Sequence, residues 1–275
     1  MNAEICNFLR KENIELYGVC DADGLCVRMP HLTERAGFGD GSGIKSLLCL
    51  CIPYFCGYPE NFSAYAAAPD YHKYCEALFE RFIPLLCKQY KEYRFCGFAD
   101  KSPFNEIDAF EKAHIGIRGD NMLFLTEKYS SFVFLAEIAT DMPAHLWECE
   151  ERELTELCVH CGACRRACPS LNANMECLSA ITQKKGELTD SERTLIKENK
   201  TAWGCDICQA VCPVTKKAIK NGTAFTNIDY FKTGRIERLT DSLIENMSDE
   251  EFKSRAFSWR GKAPLLRNLK ILSED

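Results

Sequence analysis

Cysteines in the second half of the chain have the spacing that holds iron–sulfur clusters. The first run is Cys158-x2-Cys161-x2-Cys164-x3-Cys168, and Pro169 follows it directly. In bacterial ferredoxins the first three thiolates of such a run hold one cluster, and the fourth, before proline, ligates the other cluster. The run therefore predicts a pair of [4Fe–4S] clusters and a protein that transfers electrons.

A second run supplies thiolates that the first run lacks. It reads Cys205-x2-Cys208-x3-Cys212 and is again followed by a proline. By the ferredoxin rule the thiolate before proline serves the other cluster, so we expect Cys212 to join the first three cysteines of the first run.

The second cluster then needs one more thiolate beside Cys168, Cys205 and Cys208. Cys177 lies between the two runs and is the nearest unassigned candidate. Two such clusters require eight thiolates, and the two runs with Cys177 supply eight.

Zinc and disulfides are the alternatives for these cysteines. Cys-x2-Cys pairs also bind zinc, usually as four ligands in a closed tetrahedron. A zinc site requires neither a third cysteine at the same spacing nor a proline after both runs. A disulfide framework is favoured least, because the chain is long enough to build a core and nothing marks it as secreted.

The composition is that of an ordinary globular protein, with 46% hydrophobic and 27% charged residues among 275. The amino-terminal residues lack the basic segment and apolar segment of a signal peptide. The most apolar stretch, Leu47 to Phe55, has about half the length that spans a bilayer. These features predict a cytoplasmic protein with no membrane partner.

The charge distribution is uneven. The net charge of −6 does not indicate a nucleic-acid-binding protein. The stretch from Lys253 to Lys270 nevertheless contains six basic residues and no acidic one. Such a stretch is usually a solvated helix face, and contact with phosphate groups is the alternative.

Three parts follow one another along the chain. Residues 1–150 are predicted to form a mixed α/β domain, residues 151–220 the cluster domain, and residues 221–275 a short helical extension. The chain is long enough for one large domain or two moderate ones.

Several elements can be placed within these parts. Ser46 to Tyr54 and Ser131 to Ile138 are predicted strands, and Asp70 to Tyr93 has helical spacing of its apolar residues. Thr189 is a predicted N-cap, since Glu192 three residues on completes a capping box.

The larger domain contains few residues that indicate chemistry on their own. His72, in Asp70-Tyr71-His72, resembles the start of the Asp-x-His-x-x-Gly signature that ligates cobalamin, but Cys75 stands in place of the glycine. Asp100 follows an aromatic-rich, strand-like run. Its carboxyl could be desolvated and donate a proton, although a turn-forming aspartate before Ser-Pro is the favoured interpretation from the residues alone.

Longer motifs resemble those of one family, the epoxyqueuosine reductases. These are cobalamin-dependent iron–sulfur enzymes that complete the tRNA modification queuosine. The resemblance runs from about residue 45 to residue 270. The motifs are Ser63 to His72, Asp100 to Glu106, Ala113 to Gly116, Gly119 to Asn121, Leu135 to Pro143, Gly204 to Pro213, Phe252 to Arg255 and Leu265 to Asn268.

The resemblance implies roles for particular residues. Asp100 occupies the proton-donor position, which reverses the preference above. Cobalamin would be bound by the amino-terminal domain without a protein histidine beneath the cobalt. The implied cofactor contacts are Tyr71, His72, Asp100 and Asn121. The implied ligands are Cys158, Cys161, Cys164 and Cys212 at one cluster and Cys168, Cys177, Cys205 and Cys208 at the other.

The fold implied is α+β: a mixed α/β cobalamin-binding domain, a bacterial ferredoxin-like dicluster domain and a short helical carboxy-terminal extension. The implied activity is the two-electron reductive deoxygenation of epoxyqueuosine to queuosine in tRNA, with electrons from an external donor such as a flavodoxin or ferredoxin. Two alternatives stand beside it. One is a cobalamin-dependent iron–sulfur reductase with a different substrate, and the other is a dicluster electron-transfer protein.

Overall fold

Helices and strands both contribute to the computed structural model, which describes residues 1–149, 153 and 156–274. Two compact units are present: residues 1–53 with 72–160, and residues 54–71 with those from 161 onward. The mixed helix-and-strand class predicted from the sequence is confirmed. The predicted boundary between residues 150 and 151 lies outside the described residues.

The first unit contains all the strands of the described chain and four of its helices. Its elements are α1 Ala3–Lys11, β1 Leu16–Asp21, α2 Pro30–Arg35, β2 Ser46–Pro53, α3 Tyr71–Gln89, β3 Phe95–Ala99, α4 Glu106–Lys112, β4 Ile117–Arg118, β5 Phe124–Leu125, β6 Val133–Thr140 and a 3-10 helix Ala144–Trp147.

Four of these strands form an antiparallel sheet in the order β1-β2-β6-β3. The two strands predicted from apolar runs are confirmed as β2 and β6, and the predicted helix from Asp70 is confirmed as α3. Every residue of β2 is buried, as expected for a strand with a neighbour on each side and helices over both faces.

Different helices cover the two faces of the sheet. On one face α3 packs over β3, where a Cβ at Gly97 would lie 2.4 Å from the ring of Phe79. Only glycine allows this close approach. On the other face α4 packs against β1 and β2, and Phe110 joins the core that includes Leu47 and Cys49. The loop after β3 leads directly into α4.

The second unit is built from short helices around loops. Its elements are a 3-10 helix Ala64–Ala66, α5 Ala163–Ala167, α6 Pro169–Asn172, α7 Leu178–Thr182, α8 Asp190–Glu198, α9 Ile207–Ala210, α10 Pro213–Lys220, α11 Asp229–Lys232, α12 Asp241–Asn246, α13 Asp249–Lys253, a 3-10 helix Ser258–Arg260 and α14 Lys262–Ser273. The predicted capping box is confirmed at α8: the Thr189 hydroxyl accepts from the Glu192 N–H, and the Glu192 carboxylate accepts from the Thr189 N–H.

Helix α14 anchors the core of this unit. Leu265 and Leu269 pack with Trp203 and Phe257. The buried Asn268 amide donates to the carbonyl oxygens of residues 182 and 202 at 2.7 and 2.8 Å, which satisfies main-chain groups that the short helices leave without partners. Among the described residues, none of the helices has the length and apolar character needed to cross a membrane.

Candidate active site and cluster-binding cysteines

Asp100 lies at the end of β3 with its side chain exposed. Its φ is +63°, and the Lys101 N–H donates to the Ala99 carbonyl at 2.7 Å. These features describe a three-residue turn centred on Asp100, in the positive-φ form that is rare because it is strained. The Asp100 carboxylate lies 3.6 Å from Nε2 of His72, and their side chains are 57% and 39% exposed.

Glu106, the first residue of α4, lies beside Asp100. Its carboxylate accepts the main-chain N–H of Asp100 at 3.0 Å. Burial, followed by the charge of Asp100, raises the pKa of Glu106 to about 7, against the lowering effect of the Asp100 N–H and His72. Glu106 therefore keeps a proton at mildly acidic pH, where an exposed glutamate is ionised.

Glu137 lies fully buried in β6, with Cys49 of β2 and Phe98 of β3 as its cross-strand partners. Ser102 donates its hydroxyl to one carboxyl oxygen of Glu137, and the other oxygen has no hydrogen-bond partner among the described residues. Burial, with a smaller contribution from Glu106, raises the pKa of Glu137 to about 8. This carboxyl is therefore neutral at pH 7.

Neither glutamate was assigned a role from the sequence, although both lie in motifs that resemble the family. Glu137 interrupts an otherwise apolar strand, and a lone carboxylate in a strand predicted to be buried is a signal that could have been used. Glu106 follows Asp100 by six residues and looks like an ordinary acidic residue of a first helical turn. The pairing of His72 with Asp100 brings two of the predicted site residues together.

Of the other two predicted cofactor contacts, Tyr71 directly precedes His72, whereas Asn121 lies farther along the chain. Tyr71 is the first residue of α3 and is half-buried. Asn121 lies in the turn between β4 and β5, where its side-chain oxygen accepts the Leu123 N–H at 3.2 Å. Their roles remain predictions.

Three predicted cluster ligands occupy the same kind of position, the N-cap of a helix. Cys168 precedes α6, Cys177 precedes α7 and Cys212 precedes α10. Proline at the first helical position, as after Cys168 and Cys212, costs no hydrogen bond and presets the helical φ. The Cys-Pro pairs of the sequence thus begin helices, and the helix N-termini favour negatively charged groups such as thiolates.

Cys205 and Cys208 lie within electrostatic reach of Cys168 and Cys177. Burial raises the pKa of Cys208 to about 12 and that of Cys205 to about 11, and the charges of Cys177 and Cys168 contribute to both increases. Helices α5 and α9 pack against each other in the same region.

Asp206 holds the loop that carries Cys205 and Cys208. Its carboxylate accepts from the Ser63 hydroxyl at 2.5 Å and from the Ala64 N–H at 2.7 Å. Burial raises its pKa, although these hydrogen bonds lower it. Before it, Gly204 has φ +70°, and a Cβ there would lie 2.5 Å from Cβ of Ser63. Sequence reasoning missed both positions as structural supports.

Cys158 belongs to the first unit, where it lies near a histidine and a carboxylate. His160 Nδ1 lies 2.9 Å from the Asp120 carboxylate and 3.9 Å from the Cys158 sulfur. The ligand atoms of these three side chains lie within 4.8 Å of one another. Cys161 and Cys164, the next cysteines of the same run, belong to the second unit.

The basic stretch near the carboxy terminus is a solvated face only in part. Lys253 and Lys270 are exposed. Arg255 is 9% exposed and donates to the Gly234 carbonyl at 2.6 Å. Arg267 donates to the carbonyl of residue 184 at 2.9 Å and to that of Gly186 at 2.6 Å. The expectation of a uniformly solvated face is therefore wrong for these two arginines, which bind main-chain groups of the fold.

The chain is similar to curated epoxyqueuosine reductases. It is 30% identical to that of Bacillus subtilis (strain 168) over 212 residues, which are 72% of this chain and 52% of the relative. It is 31% identical to that of Listeria monocytogenes over 216 residues, which are 74% of this chain and 54% of the relative. The chain thus spans about half the length of these relatives. No protein-family model matches it.

Solved structures of epoxyqueuosine reductases have a similar fold. One, with an epoxyqueuosine-modified tRNA-Tyr stem loop, has a TM-score of 0.77 and 25% identity over 98% of this chain and 80% of its own. Another, from Bacillus subtilis, has its aspartate-bearing catalytic loop swung out of the active site. Its TM-score is 0.73, with 25% identity and the same coverage. The predicted resemblance is confirmed.

Proposed function

Because the chain belongs to the epoxyqueuosine reductase family, we propose that it reduces epoxyqueuosine in tRNA to queuosine. The observation that carries this proposal is the exposed Asp100 carboxylate beside His72 at the end of β3. It lies in a fold that matches, over 98% of the chain, a reductase seen with a modified tRNA stem loop. An acid that serves a bulky substrate must be exposed, and Asp100 meets that requirement.

The proposed electron path consists of two [4Fe–4S] clusters. One would be held by Cys168, Cys177, Cys205 and Cys208, and the contribution of Cys168 and Cys177 to the raised pKa values of Cys205 and Cys208 supports that grouping. The other would be held by Cys158, Cys161, Cys164 and Cys212. When bound, the clusters and cobalamin supply the two electrons of the reaction.

The amino-terminal part of the chain is the proposed cobalamin-binding domain, with Tyr71, His72, Asp100 and Asn121 as contacts. A large ring can reach only exposed groups, and the side chains of His72 and Asp100 are both accessible. Nε2 of His72 faces a carboxylate, which is in accord with cobalamin bound without a histidine beneath the cobalt. Residues 151–220 would be the ferredoxin-like domain and residues 221–275 a helical extension.

The proposed role of the protein in the chemistry is to hold and deliver protons. Removal of an epoxide oxygen as water consumes two electrons and two protons and leaves a carbon–carbon double bond. Asp100 would protonate the departing oxygen, while His72 at 3.6 Å orients its carboxyl group.

The proposed partners are tRNA that contains epoxyqueuosine and an external one-electron donor such as a flavodoxin or ferredoxin. The proposed location is the cytoplasm, where thiols stay reduced and available to iron.

The test compares the chain with two variants after anaerobic reconstitution with iron, sulfide and cobalamin. Asp100→Asn removes the acid, and Asp241→Asn removes an exposed aspartate of α12 as the matched control. Product is measured as queuosine in nuclease digests of tRNA by mass spectrometry. Asp100→Asn should lower turnover by at least about 100-fold, the usual contribution of a general acid, with iron content and corrin absorbance unchanged. Asp241→Asn should act like the original chain.

Three results would overturn the proposal or one part of it. A fully loaded protein that does not convert epoxyqueuosine in tRNA would exclude this substrate. Full turnover by Asp100→Asn would exclude Asp100 as the acid. Zinc in place of iron and sulfide after reconstitution would exclude the clusters.

A further inference from the structure

The loop from Asp100 to Phe104 has a backbone that must be held in place. The turn centred on Asp100 has a positive φ of +63°, a conformation that residues other than glycine adopt less readily. The side chain of Asp100 is exposed, so packing around that side chain does not impose this conformation. Phe104 anchors the end of the loop in the core, and hydrogen bonds supply the restraint nearer to Asp100.

Glu106 provides the first restraint. Its carboxylate accepts the Asp100 N–H at 3.0 Å, so it binds the main chain of the strained residue itself. Since Glu106 begins α4, this hydrogen bond ties the loop to a helix that is packed on the sheet.

Glu137 provides the second restraint, from the centre of the sheet. It accepts the hydroxyl of Ser102, and the Ser102 oxygen in turn accepts the Phe104 N–H at 3.0 Å. Ser102 is 1% exposed and Glu137 is fully buried. One oxygen of the Glu137 carboxyl has no partner among the described residues, which lowers the stability of the fold. Within the part of the chain that the structure describes, the contact with Ser102 is the only hydrogen bond of the Glu137 side chain.

Main-chain contacts complete the arrangement. The carbonyl of Pro103 accepts the N–H groups of Arg28 and Met29 at 2.7 and 3.2 Å. The loop is thus bound at residues 100, 102 and 103, while the carboxylate of Asp100 stays exposed.

We propose that Glu106 and Glu137 are positioning residues, which hold the Asp100–Phe104 loop in the conformation that presents Asp100 to the substrate. The proposal rests on the proposed function of Asp100 as the acid. Glu106 acts through its oxygen as a hydrogen-bond acceptor, and Glu137 acts through Ser102. Neither needs to touch the substrate.

Hydrogen–deuterium exchange of the reconstituted full chain tests the positioning directly. Glu106→Ala removes the acceptor and should speed exchange of the amides of residues 100, 101, 102 and 104 by at least tenfold. Glu106→Gln retains a carbonyl oxygen at the same place and should exchange like the original chain. Asp40→Ala is the matched control, because Asp40 accepts the Ser42 N–H at 3.0 Å in another loop of the same unit.

Turnover supplies the second readout. Glu106→Ala should lower kcat by at least tenfold with KM for tRNA changed by less than twofold, and Glu106→Gln should restore kcat to within about threefold of the original. The Asp40→Ala control should leave both constants unchanged. Unaltered exchange in Glu106→Ala would overturn the proposal, and so would equal loss of kcat in the Ala and Gln variants, since that pattern indicates a proton-donating role. If the original chain does not act on epoxyqueuosine, the exchange experiment still decides whether Glu106 holds the loop.

Discussion

The effect of replacing Glu137 by glutamine on the free energy of unfolding should change sign with pH. The pKa of Glu137 rises from its ordinary value of 4.5 to about 8 in the folded chain, because the carboxyl is buried in β6. Between these values the unfolded chain has released the proton and the folded chain still holds it. The free energy of unfolding therefore falls as pH rises from about 4.5 to about 8 and is constant above that range.

The size of this change follows from the pKa. Each pH unit within the range from 4.5 to about 8 lowers the free energy of unfolding by ~1.4 kcal/mol, so the whole range is worth roughly 5 kcal/mol. Glutamine does not titrate and avoids this loss. The amide NH2 group of glutamine would stand where one carboxyl oxygen has no partner among the described residues. These buried N–H donors would then lack acceptors, which lowers the free energy of unfolding by about 1–3 kcal/mol at every pH.

The variant should thus be less stable than the original chain below about pH 6 and more stable, by about 2–4 kcal/mol, above about pH 8. Urea unfolding followed by circular dichroism from pH 5.5 to 9 measures the difference. Glu245→Gln, an exposed position of α12, is the control for loss of a carboxyl group. A difference between Glu137→Gln and the original chain that stays constant across this pH range would refute the reasoning.

Two further predictions concern the loop that holds the second set of cysteines. Gly204→Ala should lower the free energy of unfolding by about 2–4 kcal/mol, because the new Cβ would lie 2.5 Å from Cβ of Ser63 and alanine disfavours a positive φ. Gly222 also has a positive φ, +74°, but open space around it. Gly222→Ala should therefore lower the free energy of unfolding by only about 1 kcal/mol. Asp206→Ala leaves the Ser63 hydroxyl and the Ala64 N–H without their acceptor. It should lower bound iron by about half, because one of the two proposed clusters loses its supporting loop. Iron and sulfide retained in full would contradict this role.

Local patterns predicted much of the fold. The apolar run of β2, the apolar stretch of β6 and the helical spacing of α3 each placed an element near its observed position. The capping box of α8 was predicted from Thr189 and Glu192. These features depend on neighbours within a few residues, because strand alternation and helix capping are set by the local backbone.

Contacts distant in sequence could not be predicted in the same way. The basic stretch from Lys253 to Lys270 looked like a solvated face, but Arg255 and Arg267 donate to carbonyl groups of the fold. Charge along a sequence does not reveal which cations find a main-chain acceptor once the chain is packed. The pairing of His72 with Asp100, likewise, depends on α3 and β3 meeting in the folded unit.

The sequence by itself predicted the family, the cluster ligands and, through the resemblance, the candidate acid. Thiol spacing and short motifs are properties of neighbouring residues and need no folded chain to be read. Only the tertiary structure decided which carboxyl groups have raised pKa values and what holds the Asp100 loop. Glu137 contacts Ser102 across 35 residues and Asp206 contacts Ala64 across 142, and a carboxyl changes its pKa only when folding removes water and supplies such partners.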